Sequence, residues 1–240
     1  MVAKSELKLI RSLQQKKYRN QHQLFFVEGK KTIQELLNSD FKPHSVFYSD
    51  QNILDFSAPF LHEISASELQ QISMLKKPNG VLGVFHIPKP KEINNKDWIV
   101  VLDDVRDPGN LGTIIRLCDW FGIQNLVCSR NTVDCYNPKV LQATMGSISR
   151  VNITYLDLAN FLKGANSIIY GAFMDGKSVY ESELSDKGVI ILGNEANGIS
   201  AQIEALVSQK VSIPQYGNKT TESLNVATAS AILLNEIRRR

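Results

Sequence analysis

The chain has 240 residues, with 27 Lys and Arg against 24 Asp and Glu and a hydrophobic fraction of 43%, a composition ordinary for a folded globular protein and far from that of a disordered one. No apolar run approaches the roughly 18–20 residues of a membrane helix, and the basic start MVAKSELKLIRSLQQKKYRN lacks the apolar stretch of a signal peptide. Three cysteines (Cys118, Cys128, Cys135) with no CxxC pair argue against a disulfide framework and a Cys-based zinc site, and fit a reducing cytoplasm.

The first 88 residues carry 11 Lys and Arg against 8 Asp and Glu, and all four histidines; residues 89–240 are balanced, 16 of each sign, and hold all three cysteines. A Ser-His or Cys-His pair inside the second part is therefore excluded. The segment IPKPKEINNKD, with two prolines and no apolar periodicity, marks a boundary. The division expected is residues 1–88, a linker at 89–97, and a second domain at 98–240.

In chain order, residues 5–18 carry Leu7, Ile10 and Leu13 at helical spacing. This opening segment sets Lys4, Lys8, Arg11, Lys16, Lys17 and Arg19 against Glu6 alone. It is read as a basic helix facing a phosphate backbone, with Lys16, Lys17 and Arg19 as contacts and Tyr18 able to stack, or else as a solvated amphipathic helix. LFFVEG predicts a strand, KKTIQELLNS a helix, SVFYS a strand, SASELQQIS a serine-capped helix, and GVLGVFHI a closing strand. The first domain is thus a small α/β unit. In the second, WIVVLDDV, NLVCS, SIIYGAF, GVIILGN and KVSIP are continuous apolar runs, as expected of strands buried on both faces. LGTIIRLCDWFG, PKVLQATMGSIS, LANFLKG, SAQIEALVS and a last helix from about Ser223 to Arg240 are interleaved with them. Alternating strands and helices predict a parallel sheet covered on both sides.

In such sheets ligands bind at the carboxyl ends of the strands. After WIVVLDDV, the stretch RDPGNLGTIIR turns at Pro108-Gly109 and starts a helix with Asn110 and, six residues on, Arg116. That is a phosphate site of backbone N–H groups and a guanidinium, or a Gly-punctuated turn with Arg116 as a surface ion-pair partner. After GVIILGN, Gly193 permits close backbone approach. Glu195 then emerges to hold a hydrogen-bonding group, or to complement a helix dipole. After KVSIP comes a polar loop, with Ser223 and Asn225 opening an apolar helix; Ser223 is a pocket residue or a helix cap. DCYNPKVLQATMGSISRV brings Lys139 and Arg150 as candidate phosphate contacts or solvated cations. No GxGxxG follows a strand, no GxxxxGK[ST] occurs, and no metal-binding spacing is found.

Together NLGTIIR, ILGNEANGIS and SIPQYGNKTTESLNVATASAILL resemble, in order, the three signature motifs of the SpoU (TrmH) RNA 2′-O-ribose methyltransferases. The resemblance covers residues 98–240, including the intermediate stretch DCYNPKVLQATMGSISRV. Residues 1–88, with FFVEGKKTIQELL, are similar to the substrate-binding domain that many members carry. The loop QYGNKTTE is somewhat longer than the family pattern.

The resemblance implies a SPOUT-type parallel sheet with a C-terminal trefoil knot, a homodimer, and S-adenosyl-L-methionine as cofactor without a metal. It implies cofactor contacts at Leu192, Gly193, Ile213 and Leu224, and catalytic positions at Asn110, Arg116, Glu195, Ser223 and Asn225. Asn110 and Glu195 are expected to hold Arg116 and the RNA. The substrate implied is RNA in the cytoplasm, ribosomal RNA ahead of transfer RNA. Two other readings use the same residues: a non-catalytic RNA-binding module of this fold, and a flavodoxin-like FMN protein.

Overall fold

A computed structural model describes residues 3–50, 57–217 and 223–239. The chain packs as two compact units, residues 1–89 with 134–149, and residues 90–133 with 150–240. Among the described residues no helix is long and apolar enough to cross a membrane.

In the first unit the basic opening segment forms two helices rather than one. α1 (Lys4–Ser12) buries Leu7 and Ile10, and Leu13 is buried in the turn after it. Gln15 is extended and starts α2 (Lys16–His22), whose buried residue is Arg19. The strand β1 (Leu24–Glu28) has four successive buried residues. Both faces are covered: Leu24 and Phe26 join the core of α1 and α4, while the Phe25 ring packs on Phe41 and Phe85. Gly29 then takes φ 99°, a region that favours glycine, and opens α3 (Lys30–Leu37), which buries Ile33 and Leu36. β2 (Pro43–Tyr48) and the short edge strand β3 (Leu61–Glu63) follow. α4 (Ala66–Ile72) starts at a reciprocal Ser65–Glu68 capping box. β4 (Val81–His86) completes a sheet of order β1-β4-β2-β3, antiparallel except between β2 and β3.

The second unit opens with β5 (Ile99–Leu102), all four residues buried, then α5 (Pro108–Trp120) and β6 (Asn125–Ser129). The chain next contributes residues 134–149 to the first unit. There α6 (Pro138–Thr144), capped by Asn137, packs against β1, and Tyr136 lies on the Phe25 ring at 4.7 Å between centroids. The chain returns in β7 (Asn152–Leu156), α7 (Leu158–Lys163), β8 (Ile169–Ser178), β9 (Val189–Leu192), α8 (Ala201–Glu204), β10 (Gln209–Ser212) and α9 (Val226–Arg239).

Six strands pair in the order β10-β8-β9-β5-β6-β7, every pair parallel. One face packs Ile99, Val101, Val189 and Ile191 against Leu158 and Leu162 of α7 and Ile203 of α8. α9 packs on α5, burying Leu233 and Leu234, and its Arg238 returns to grip the Asp97 carboxylate and the Phe121 carbonyl. Each such buried aliphatic side chain stabilises by about 1.5–3 kcal/mol. β7 was not expected from sequence: at the edge, all five of its residues are only half-buried, so no continuous apolar run marks it.

Candidate active site

The neighbouring strands β5 and β9 run parallel in a register that pairs Leu102 with Leu192. Their loops therefore leave the sheet side by side. Three hydrogen bonds tie them: Asp103 N donates to the Leu192 carbonyl (2.9 Å), Ser200 N to the buried Asp103 carboxylate (2.8 Å), and the Asn194 amide to the Asp104 carbonyl (2.7 Å). Asp104 sits at φ 61°; its N–H reaches Ser129 and its carboxylate is gripped by Arg106.

The loop after β9 is a tight return. Asn194 and Gly198 pair through their backbones, and the Asn194 side-chain oxygen accepts from the N–H groups of Ala196 and Asn197. A Cβ on Gly193 would lie 2.1 Å from the Gly198 carbonyl carbon, so only glycine lets the two backbones approach this closely. The turn leaves Glu195 exposed at its tip.

α5 begins at Asp107, whose carboxylate caps the Asn110 N–H at 2.8 Å, with Pro108 at its first position. α9 begins at Asn225, whose side-chain oxygen accepts from the N–H groups of Ala227 and Thr228. The cap is thus Asn225 rather than Ser223.

These starts meet in one hydrogen-bonded chain. The Asn225 amide donates to Asn110 Oδ1 at 2.8 Å, and the Asn110 amide donates to Glu195 Oε1 at 2.9 Å. Both ends fix its polarity. A carboxylate only accepts, so Asn110 turns its NH2 to Glu195 and its oxygen to Asn225. Helix N–H groups only donate, so Asn225 turns its oxygen to α9 and its NH2 to Asn110. Three segments far apart in sequence are locked, each amide in one orientation.

Arg116 lies six residues beyond Asn110, about 9 Å along the helix axis. It is exposed and makes no hydrogen bond or ion pair among the described residues. Neither Asn110 nor Glu195 holds it, contrary to the sequence expectation: their groups are spent on each other and on Asn225. Thr113, Arg116 and Trp120 are exposed along one stripe of α5, and Trp120 is 83% exposed. Of the other expected residues in this unit, Leu192 is buried under the sheet edge and Gly193 and Ile213 are half-buried. Ser223 and Leu224 are exposed just before Asn225. Residues 218–222 of the QYGNKTTE loop lie outside the described residues. Arg150 is engaged by the Asp119 carboxylate.

In the first unit Lys16 and Lys17 are exposed, and Lys17 lies over the Tyr18 ring. Lys139 is exposed on the first turn of α6. Arg19 departs from its expected role. It is 2% exposed, and its guanidinium is used on the Asp134 carboxylate and the carbonyls of Leu13 and Gln14. It holds the unit together and presents nothing to a ligand.

Sequence reasoning missed Asp103, Asp107 and Asn194, which position the loops without lying in the amide chain. The one available signal was Asp107 directly before Pro-Gly, a capping residue followed by proline at the first helical position. No group of three or more His, Cys, Asp or Glu is arranged to hold a metal among the described residues.

The model of the SpoU rRNA Methylase family matches residues 97–235, and that of the MRM3-like substrate binding domain matches residues 4–83. The chain is 29% identical over 235 residues to the 23S rRNA (guanosine(2553)-2′-O)-methyltransferase RlmP of Bacillus subtilis, covering 95% of this chain and 94% of that protein. A TrmH-family structure from Porphyromonas gingivalis is 35% identical with a TM-score of 0.92, covering 100% of this chain and 99% of that one. An AdoMet-bound rRNA methyltransferase structure from Sinorhizobium meliloti is 28% identical with a TM-score of 0.88, covering 100% and 97%.

Proposed function

The chain belongs to the SpoU rRNA methylase family, and on that premise we propose that it is an S-adenosyl-L-methionine-dependent methyltransferase acting on a ribose 2′-hydroxyl of RNA. Ribosomal RNA is favoured over transfer RNA by the Bacillus subtilis relative and by the substrate-binding domain at residues 4–83. The observation that carries the reading is the Asn225–Asn110–Glu195 chain at the carboxyl edge of the sheet, beside an arginine without a partner among the described residues. Mapping 2′-O-methyl sites in total RNA with and without the gene tests it: loss of one ribosomal site is expected, and an unchanged map overturns it.

The residues fit the cofactor. Gly193 keeps a backbone surface without a side chain at the strand end, Leu224 is 47% exposed and Ile213 half-buried. Leu192, Gly193, Ile213 and Leu224 would hold the group largely through backbone and apolar contacts. When bound it supplies the methyl group as an electrophile.

Arg116 grips the phosphate beside the target ribose with two parallel N–H donors and stabilises negative charge on the hydroxyl oxygen. It acts as a cation and a hydrogen-bond donor and does not serve as the base. The hydroxyl proton leaves to water or to a substrate phosphate. Asn110, Glu195 and Asn225 keep the three loops in register, and Ser223 shapes the pocket beside them. Residues 1–88 act as the RNA-binding domain, joined by 89–97 to the catalytic domain 98–240. Lys16, Lys17 and Lys139 contribute counter-ion release on RNA binding, and Arg150 contributes where it outreaches Asp119.

S-adenosylmethionine at 100 times its Kd should stabilise the protein by about 2.7 kcal/mol, raising Tm by about 5–10 °C for a chain of this size. Chelator should leave methyl transfer intact. A melting curve indifferent to the cofactor would falsify the reading.

On the family reading, the protein works as a homodimer in the cytoplasm, and the segments after β9 and β10 form the trefoil knot. The dimer face includes Trp120, one turn beyond Arg116. Sedimentation at micromolar concentration should give about twice 26.9 kDa, and Trp120→Glu should give the monomer mass. A wild-type profile showing monomer alone overturns the dimer.

A further inference from the structure

The first unit holds a cavity of about 520 Å³ that the sequence analysis did not anticipate and that the methyl-transfer chemistry does not use. Its size falls in the range of small-ligand sites. Two thioethers line it: Met74 and Met145, large apolar side chains, are 43% and 48% exposed. Such side chains adapt to flat and irregular partners. The Met74 wall is fixed by Glu28, whose carboxylate accepts from Ser73 Oγ and from Met74 N. The Glu28 charge is thereby spent inside the protein.

The rest of the lining includes cations and donors. Lys31 and Lys139, both exposed, line the cavity. Thr32 also lines it, is 8% exposed, and its hydroxyl has no hydrogen-bond partner among the described residues. A hydroxyl open to the cavity can bond a ligand oxygen placed there. Thr32 sits in the first turn of α3, which no side chain caps. Asn79 adds an exposed amide at the rim.

A phosphate acceptor beside an adaptable apolar wall, with an amide able to read a polar edge, matches one chemical class. We infer that this cavity binds a single unstacked nucleotide of the RNA substrate, its phosphate at Thr32, Lys31 and Lys139 and its base between Met74 and Met145. The inference rests on the RNA reading above and deepens it. The first unit reads a nucleotide that has left the helix, the form in which RNA sequence is most often recognised.

The methionines make the test direct. The sequence has four, and Met174, exposed in the second unit, is an internal control. The full chain labelled at its methionine methyl groups is titrated with an unstructured eight-nucleotide RNA, with 5′-AMP, and with inorganic phosphate. The Met74 and Met145 signals should move with the RNA and with 5′-AMP and stay fixed with phosphate, while Met174 stays fixed throughout. Thr32→Val, which is isosteric, and Lys139→Ala should each weaken RNA binding about tenfold. Unmoved Met74 and Met145 signals in the presence of RNA overturn the proposal, as do equal shifts with phosphate alone. Thermal stabilisation by S-adenosylmethionine, measured on the same sample, reports separately on the methyltransferase reading. Stabilisation without methionine shifts removes the nucleotide site and leaves the enzyme; methionine shifts without stabilisation do the reverse.

Discussion

Replacing Arg116 with alanine should slow single-turnover methyl transfer by about 10²-fold or more, the scale of removing one preorganised donor from a transition state. The structure leaves this guanidinium exposed with no carboxylate partner among the described residues, whereas Arg106, Arg150, Arg238 and Arg239 are each held by one. A cation left unspent on the helix that also carries Asn110 is available to the substrate. Arg116→Lys keeps the charge but loses the fork of parallel donors, so it should lose most of the activity as well. Cofactor affinity should stay near wild type in both variants, because the cofactor contacts are assigned to the loops after β9 and β10. Single-turnover rates and calorimetric cofactor binding, measured on both variants, separate these outcomes. Near-wild-type turnover by Arg116→Ala would leave the residue a surface cation on α5 and remove its catalytic role.

The parallel sheet was legible because its strands are buried on both faces. Runs such as IVVL at β5 and VIIL at β9 have every residue buried, so hydrophobicity is continuous and bounded by turn residues. The three loops were legible for a related reason: their glycines and polar residues follow these runs directly. What joins the loops was not. Asn110 meets Glu195 across 85 residues and Asn225 across 115, and no local pattern encodes a pair at that distance. Half-buried edge strands left no run to find, as with β7 and the three-residue β3. Nor does any local signal mark residues 134–149 as packing with the first unit, since their apolar positions suit a helix on either sheet. Arg19 shows the same limit at one residue. In sequence it is one cation among several in a basic helix, and the partner that buries it lies 115 residues away.

That partner makes Arg19 the site of the second large effect, on stability rather than on catalysis. Arg19 is 2% exposed and Asp134 14% exposed, and the guanidinium also satisfies the Leu13 and Gln14 carbonyls that end the first helical stretch. Removing one partner of a buried pair leaves the other charge without compensation, at a cost of about 3–5 kcal/mol. Arg19→Ala should therefore destabilise the first unit by that amount, read as a lowered denaturation midpoint. Arg19→Met with Asp134→Leu should cost less than the single variants added together, because no orphaned charge remains. The effects on RNA run the other way. Lys16→Ala and Lys17→Ala touch exposed side chains, so stability should stay within about 0.5 kcal/mol of wild type, while the salt dependence of RNA binding falls by about one counter-ion each. Arg19→Ala, assayed well below its transition, should leave that salt dependence unchanged. Denaturation curves and RNA titrations at two salt concentrations on wild type, Lys16→Ala, Lys17→Ala and Arg19→Ala decide between the roles. An Arg19→Ala chain with an unshifted midpoint and a reduced salt slope would return Arg19 to the RNA-binding face.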